Sequence, residues 1–284
     1  MKIKHTQMDN YLNRKLDYLL PDITNAYDEL PLWSSAFGLL LLDNFPIGEY
    51  SNYLDIGCAT GFPLIDIAQR LGNKCSSVGI DPWTEAVKRA KTKIDTLQLD
   101  NITIIEGDAS TIDYPDDYFD LITSNLGINN FEKPLTVLKE CNRVLKTNSS
   151  FSLTTNLTGT FNEFYKIFTD TIKELGLEKY LPKLNEHINH RGTEESTIEL
   201  LEKSGFIIKN KIKSKYKMRF LNGTTFLNNS FTIIGFVDSW RNLFPETEKR
   251  NFFNRLELRL NEYSKKQGEL KLTIPMLYIE CKKR

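Results

Sequence analysis

Tyr53-Leu54-Asp55-Ile56-Gly57-Cys58-Ala59-Thr60-Gly61-Phe62-Pro63 decides how this chain is read. An apolar run ends in an acid, a loop of small residues follows, and the amphipathic segment 64–71 comes next. That order is a buried strand, a tight turn and a helix. Small residues at 57, 59 and 61 let a ligand lie against bare backbone, and the helix start offers unpaired N–H groups. The spacing is G-x-A-x-G with an acid two residues before the first glycine, whereas a dinucleotide site needs G-x-G-x-x-G. An acid there repels a pyrophosphate and attracts an ammonium. A nicotinamide oxidoreductase is therefore disfavoured.

The downstream chain repeats the strand-then-acid pattern. The run 75–80 ends at Asp81, and 81 − 61 puts that acid 20 residues past the loop glycine. A carboxylate at that distance is placed for the hydroxyls of a nucleoside ribose. Pro82 and Trp83 follow, and the indole of Trp83 can stack on an adenine face or pack beside the next helix. A third strand, 101–105, leads to Asp108 and Ala109. A fourth, from Tyr118, runs to Asn125 and Gly127, a helix spans 133–146 with Pro134 near its start, and strand five covers 151–155. Taken singly, Asp81 and Asp108 each suit a helix cap or a turn. In register at successive strand ends they read as ligand contacts.

Asp55-Ile56-Gly57-Cys58-Ala59-Thr60-Gly61 resembles motif I of class I S-adenosylmethionine (SAM) methyltransferases, D-x-G-x-G-x-G, with Ala59 at the middle glycine. Glu140-Cys141-Asn142-Arg143-Val144-Leu145-Lys146 is similar to the E-x-x-R-V-L-K that precedes strand five in many small-molecule members. The resemblance implies an α/β, Rossmann-like sheet of seven strands in the order 3-2-1-4-5-7-6, with strand 7 antiparallel and a helical cap. It implies SAM as cofactor, held by Asp55, Gly57, Cys58, Ala59 and Gly61, by Asp81, Pro82 and Trp83, and by Asn125. The Asp108 carboxylate would accept from the adenine amino group with the Ala109 N–H helping. A tyrosine of the N-terminal helices commonly lines the pocket, which singles out Tyr27, with Trp33 beside it; both could equally anchor that segment to the core.

The 284 residues carry 37 basic and 37 acidic side chains and are 40% hydrophobic. That balance describes an ordered globular protein with no global field to recruit nucleic acid. The longest apolar run, 37–42, is far too short to span a bilayer, and the N-terminus does not resemble a signal peptide. Cysteines 58, 75, 141 and 281 show neither C-x-x-C spacing nor a dense framework, as expected of reduced thiols in the cytoplasm. No metal site is expected, because His187 and His190 have no further ligands at suggestive spacing.

The expected organisation is an N-terminal helical segment (1–47), a SAM-binding core (48–216), an aromatic-rich helical insertion (217–269) and a last core strand (270–284). Lysines at 209, 211, 213, 215 and 217 and Arg219 alternate with apolar residues, the pattern of an edge strand with one solvated basic face. An anionic partner could also use that face. Pro275 sits awkwardly in the final strand, which calls for a bulge or a start at Met276.

The acceptor end of such a pocket follows strand four. Leu126 to Phe131 looks like the F-G-L-R-N of quinone-biosynthesis C-methyltransferases, with Asn129 in place of the arginine. The N-P-P-Y of planar-amine methylation is missing. Asn129 and His190 are the candidate catalytic groups, His190 because an imidazole titrates near neutrality; a plain surface helix end explains it as well. Arsenite methylation would need converging thiols that these cysteines do not supply. The expected activity is SAM-dependent C- or O-methylation of a small, partly apolar molecule. The alternatives are a non-catalytic SAM-binding module or a nucleic-acid methyltransferase using the Lys209–Arg219 face.

Overall fold

The computed structural model describes residues 10–14, 16–30 and 32–284. His5 and Pro31 lie outside the described residues. The elements run α1 (Asn10–Asn13), α2 (Pro21–Glu29), α3 (Leu32–Leu42), β1 (Asn52–Ile56), α4 (Leu64–Leu71), β2 (Ser76–Asp81), α5 (Thr84–Leu97), β3 (Ile102–Glu106) and β4 (Phe119–Asn125). They continue as α6 (Pro134–Val144), β5 (Leu145–Asn156), α7 (Asn162–Glu174), α8 (Leu181–Asn189), α9 (Glu194–Lys203) and β6 (Phe206–Phe220). The last part holds α10 (Gly223–Leu227), α11 (Ser230–Thr232), α12 (Asp238–Arg241), α13 (Glu246–Gln267) and β7 (Leu270–Lys283). One sheet carries all seven strands in the order β3-β2-β1-β4-β5-β7-β6. The first five strands pair in parallel, and β7 is antiparallel to β5. This is the expected Rossmann-like order.

The chain divides into two compact units whose limits fall within β6 and β7. One unit comprises 18–157, 192–214 and 276–284. Its core follows from strand alternation: successive side chains point to opposite faces, and both faces are covered. Leu54 and Ile56 of β1 join Val137, Leu138 and Cys141 of α6 on one face. Tyr53 joins Leu41 of α3, Leu64 and Ile67 of α4, and Val87 and Ala90 of α5 on the other. Because the helices flank the sheet, the loops at the strand ends, where β1 and β4 terminate, are where such a sheet offers a ligand site.

The second unit comprises residues up to 17, 158–191 and 215–275. These limits depart from the expected boundaries, because α7 and α8 group with the aromatic insertion. The cause is apolar packing. Phe164 of α7 lies 4.4 Å from Trp240 of α12 and 5.3 Å from Phe226 of α10, centroid to centroid. Phe168 lies 4.7 Å from Phe252 of α13. Such ring pairs are worth about 0.5–1.5 kcal/mol each beyond area burial. Arg241 caps α1 by donating to the carbonyls of Leu12 at 2.7 Å and Arg14 at 3.0 Å. Buried Glu257 accepts from Tyr11 Oη at 3.1 Å and Thr224 Oγ1 at 2.5 Å.

β7 begins at Leu270 and runs straight through Pro275, without the late start expected of it. Its ladder with β5 begins at Met276, opposite Asn156, so the N–H that Pro275 lacks is not required there.

Candidate cofactor site at the strand ends

Asp55 lies at the end of β1, fully buried. Its register partner on β4 is Thr123, whose hydroxyl donates to Asp55 Oδ1 at 2.5 Å. Tyr53, on the same face of β1, shares a 2.7 Å hydrogen bond with Thr123 Oγ1. Since the threonine proton goes to Asp55, the Tyr53 phenol is the donor. Among the described residues Asp55 Oδ2 has no hydrogen-bond partner. Burial is the main force on this carboxyl; the Thr123 bond opposes it, and the pKa stands at about 7. A buried anionic oxygen with no donor is costly, so the site calls for a cation.

Directly after Asp55 the backbone turns through Gly57 at φ +73°. A Cβ built there would lie 3.5 Å from the Cα of Gly127, so the two glycines bring the loops after β1 and β4 into close backbone approach. Ala59 adopts φ +44°, a left-handed conformation held by its N–H, which donates to Asp81 Oδ2 at 2.8 Å. The other oxygen of Asp81 accepts from the Trp83 N–H at 2.9 Å. Burial raises the Asp81 carboxyl above its ordinary range, against these two N–H groups. Asp81 thus pins the small-residue loop and the start of α5 at once, and each oxygen keeps lone-pair capacity for a ligand hydroxyl. Pro82 is exposed beside it, and Cys58 is wholly buried beneath the loop. The Cys58 thiol is pushed well up by burial, which makes it a packing group.

The N-terminal helices cover this loop. The Trp83 indole N–H donates to the Tyr18 carbonyl at 2.9 Å, and the Tyr27 ring stands edge-on to Trp83 at 5.6 Å. Burial raises the Tyr27 phenol, a hydrogen bond with Ser34 opposes it, and the Asp81 charge adds to the rise. Tyr27, Trp83 and Asp81 are therefore brought together. Next to Tyr27, Asp28 accepts from Arg89 Nε at 2.8 Å and pairs with Lys93. Lys93 Nζ also donates to the Thr60 carbonyl at 2.8 Å, tying α2, α5 and the loop into one group. Trp33 instead packs on Phe37 of its own helix, at 5.5 Å.

Asp108 is exposed and accepts from the Ser110 N–H at 2.7 Å, while Ala109 is buried. At the end of β4, Asn125 Oδ1 accepts from Thr154 Oγ1 at 2.7 Å and its amide donates to the Ser34 carbonyl at 3.0 Å. Asn129 ends a short 3₁₀ turn and donates to Thr155 Oγ1 and Asn156 Oδ1, each at 2.7 Å. It is held as a fixed amide of the wall. His190 is exposed past the end of α8, in the other unit. His187 Nε2 shares a 3.0 Å hydrogen bond with the Tyr165 phenol, and burial lowers its pKa to about 4. Among the described residues no cluster of His, Cys, Asp or Glu is placed to hold a metal, and no helix is long and apolar enough to cross a membrane.

The model of the family described as "Methyltransferase domain" matches residues 47–213, more than half of the chain. This protein belongs to that methyltransferase family. Over 142 residues the chain is 29% identical to the demethylmenaquinone methyltransferase of Staphylococcus epidermidis, covering 50% of this chain and 55% of that one. The chain thus spans about half the length of that relative. Among solved structures, the YcgJ protein of Bacillus subtilis superposes with a TM-score of 0.56 at 18% identity, over 88% of this chain and 98% of that one. A SAM-dependent methyltransferase from Aquifex aeolicus gives 0.52 at 21%, over 70% and 93%. At these identities the likeness is one of fold.

The cofactor that this family implies is SAM, and the residues present fit it. The loop after β1 brings bare glycine backbone next to a buried carboxylate whose second oxygen has no hydrogen-bond partner among the described residues, suited to an ammonium. Asp81 and an aromatic pair lie beside it, suited to a ribose and a purine.

Sequence reasoning missed Thr123, Lys93 and Asp28. Thr123 faces Asp55 only once the β1–β4 register is known, and Asp28 reaches α5 from 61 residues away. The acidic pair Asp28-Glu29 at the end of α2 was the one local signal.

Proposed function

We propose that the protein transfers a methyl group from SAM to a small, partly apolar acceptor and releases S-adenosylhomocysteine. The observation that carries the reading is the buried Asp55 oxygen without a partner below the Gly57–Gly61 loop. Bound SAM supplies a methyl group on a cationic sulfur, electrophilic without further activation. The protein's share is placement and the exclusion of water, which in well-oriented systems is worth about 7–11 kcal/mol. In this reading Asp55 pairs with the ammonium of the methionine end. Asp81 accepts from the ribose hydroxyls, Asp108 and the Ala109 N–H meet the adenine edge, and Tyr27 and Trp83 cover it. Asn125 and Asn129 present the acceptor with amides, which hold a carbonyl or hydroxyl oxygen without adding charge.

C- or O-methylation follows from that uncharged wall. The name of the staphylococcal relative puts the reduced, ionisable ring of a quinone first among acceptors to test. Such a ring carries its own nucleophile once its hydroxyl is ionised, and a protein base is then dispensable. His190 is not drawn into this reading. The test is a screen of hydroquinones, phenols and enolisable ketones with SAM, following formation of S-adenosylhomocysteine. Turnover with one of these classes supports the proposal. Tight S-adenosylhomocysteine binding without turnover on any of them would point instead to a non-catalytic binding module.

A further inference from the structure

β6 lies at the edge of the sheet. Every odd position from Lys209 to Arg219 is basic and exposed, while the even positions, Asn210 apart, are buried or half-buried. Alternate residues of a strand share a face, so the six charges form one row about 33 Å long at the usual strand rise. Exposed aliphatic side chains stand at both ends: Ile207 is 37% and Leu221 74% accessible. Part of the row is answered within the protein. Glu194 pairs with Lys211 at 2.6 Å and also with Lys213, and Glu269 pairs with Arg219 at 2.6 Å. Lys209, Lys215 and Lys217 have no ion-pair partner among the described residues.

One or two lysines suffice to keep an edge strand from pairing with another chain. Three lysines left over on one face of one strand, in a chain with as many acids as bases, make a localised positive field that suits an anionic partner. Two macromolecular surfaces offer that charge. Single-stranded nucleic acid is gripped by basic grooves interleaved with aromatic rings on which bases stack. Here the aromatic residues of the strand, Phe206, Tyr216 and Phe220, occupy even positions on the buried or half-buried side, and the exposed apolar groups are aliphatic. Basic residues combined with aliphatic ones are what an anionic lipid surface binds, by headgroup attraction and by shallow insertion.

We propose that this face of β6 docks the protein on an anionic lipid surface, the lysines over the headgroup phosphates and Ile207 and Leu221 seated between lipids. The inference does not rest on the methyl-transfer reading. The test is sedimentation of the full chain with phosphatidylglycerol–phosphatidylcholine vesicles, with pure phosphatidylcholine vesicles and poly(U) as the other arms.

Binding should be confined to the anionic vesicles and weaken with salt. K209Q/K215Q/K217Q should lower the partition coefficient about a hundredfold, at the usual contribution of a surface lysine. I207S/L221S should lower it several-fold. Far-UV circular dichroism verifies that both variants, altered only at exposed positions, are folded. Undiminished binding by either variant, equal binding to neutral vesicles, or poly(U) binding at lower protein concentration than the anionic vesicles would overturn the proposal.

Discussion

Thr123 donates to Asp55 across 2.5 Å, and the second oxygen of that carboxyl has no hydrogen-bond partner among the described residues. One oxygen is fixed from within the protein and the other awaits a cation. The pKa of about 7 means that the ligand-free site is half protonated near neutrality. An ammonium ligand binds the anionic form. Affinity for S-adenosylhomocysteine should therefore be level above pH 7 and fall below it, towards tenfold per pH unit. Calorimetric titration from pH 5.5 to 8.5 checks this, and Asp55→Asn should abolish the slope along with most of the affinity.

The same carboxyl sets a stability dependence of opposite sense. A folded pKa above the ordinary carboxyl value means stability that is complete below about pH 4 and is lost as pH rises through 7. Asp55→Asn removes that loss. The ligand-free variant should unfold at a higher temperature than the parent at pH 8, by the equivalent of about 2–4 kcal/mol. The difference should shrink as pH falls and vanish below about pH 4. A variant less stable than the parent at pH 8 would contradict the burial argument.

Ala59 adopts φ +44°, where family members carry glycine. A left-handed alanine costs about 1–2 kcal/mol, partly offset by the greater freedom of glycine in the unfolded chain. Ala59→Gly should raise stability by roughly 0.5–1 kcal/mol in denaturant titration and leave cofactor affinity within twofold.

Asp28 is held below the ordinary carboxyl range; burial pushes it up, and the bonds from Lys93 and Arg89 outweigh that push. Its contribution is present above about pH 4 and lost on acidification. Because Lys93 also holds the Thr60 carbonyl, Asp28→Ala should loosen α2 and the loop together. We expect S-adenosylhomocysteine to dissociate about tenfold faster in stopped-flow displacement and amides of 21–42 to exchange faster. Unchanged exchange there would remove the fastening role.

The sequence makes the loop and its strands legible because their signals are local. Asp55, Gly57, Gly61 and Asp81 announce themselves by strand ends and small residues, and the basic alternation of β6 by a period of two. What it hides is set by register and packing. Thr123 stands beside Asp55 only through a parallel pairing across 68 residues. The grouping of α7 with α10–α13 arises where Phe164 and Phe168 meet rings some 60–90 positions later. The passage of β7 through Pro275 depends on where the β5 ladder begins, which no local pattern encodes.

Isothermal titration of the full chain with S-adenosylhomocysteine at pH 8, beside Asp55→Asn and Thr123→Val, tests the cofactor site most directly. The account predicts saturable one-to-one binding to the parent, weakened tenfold or more in the first variant and measurably in the second. No heat with the parent, or equal affinity in all three proteins, would contradict it.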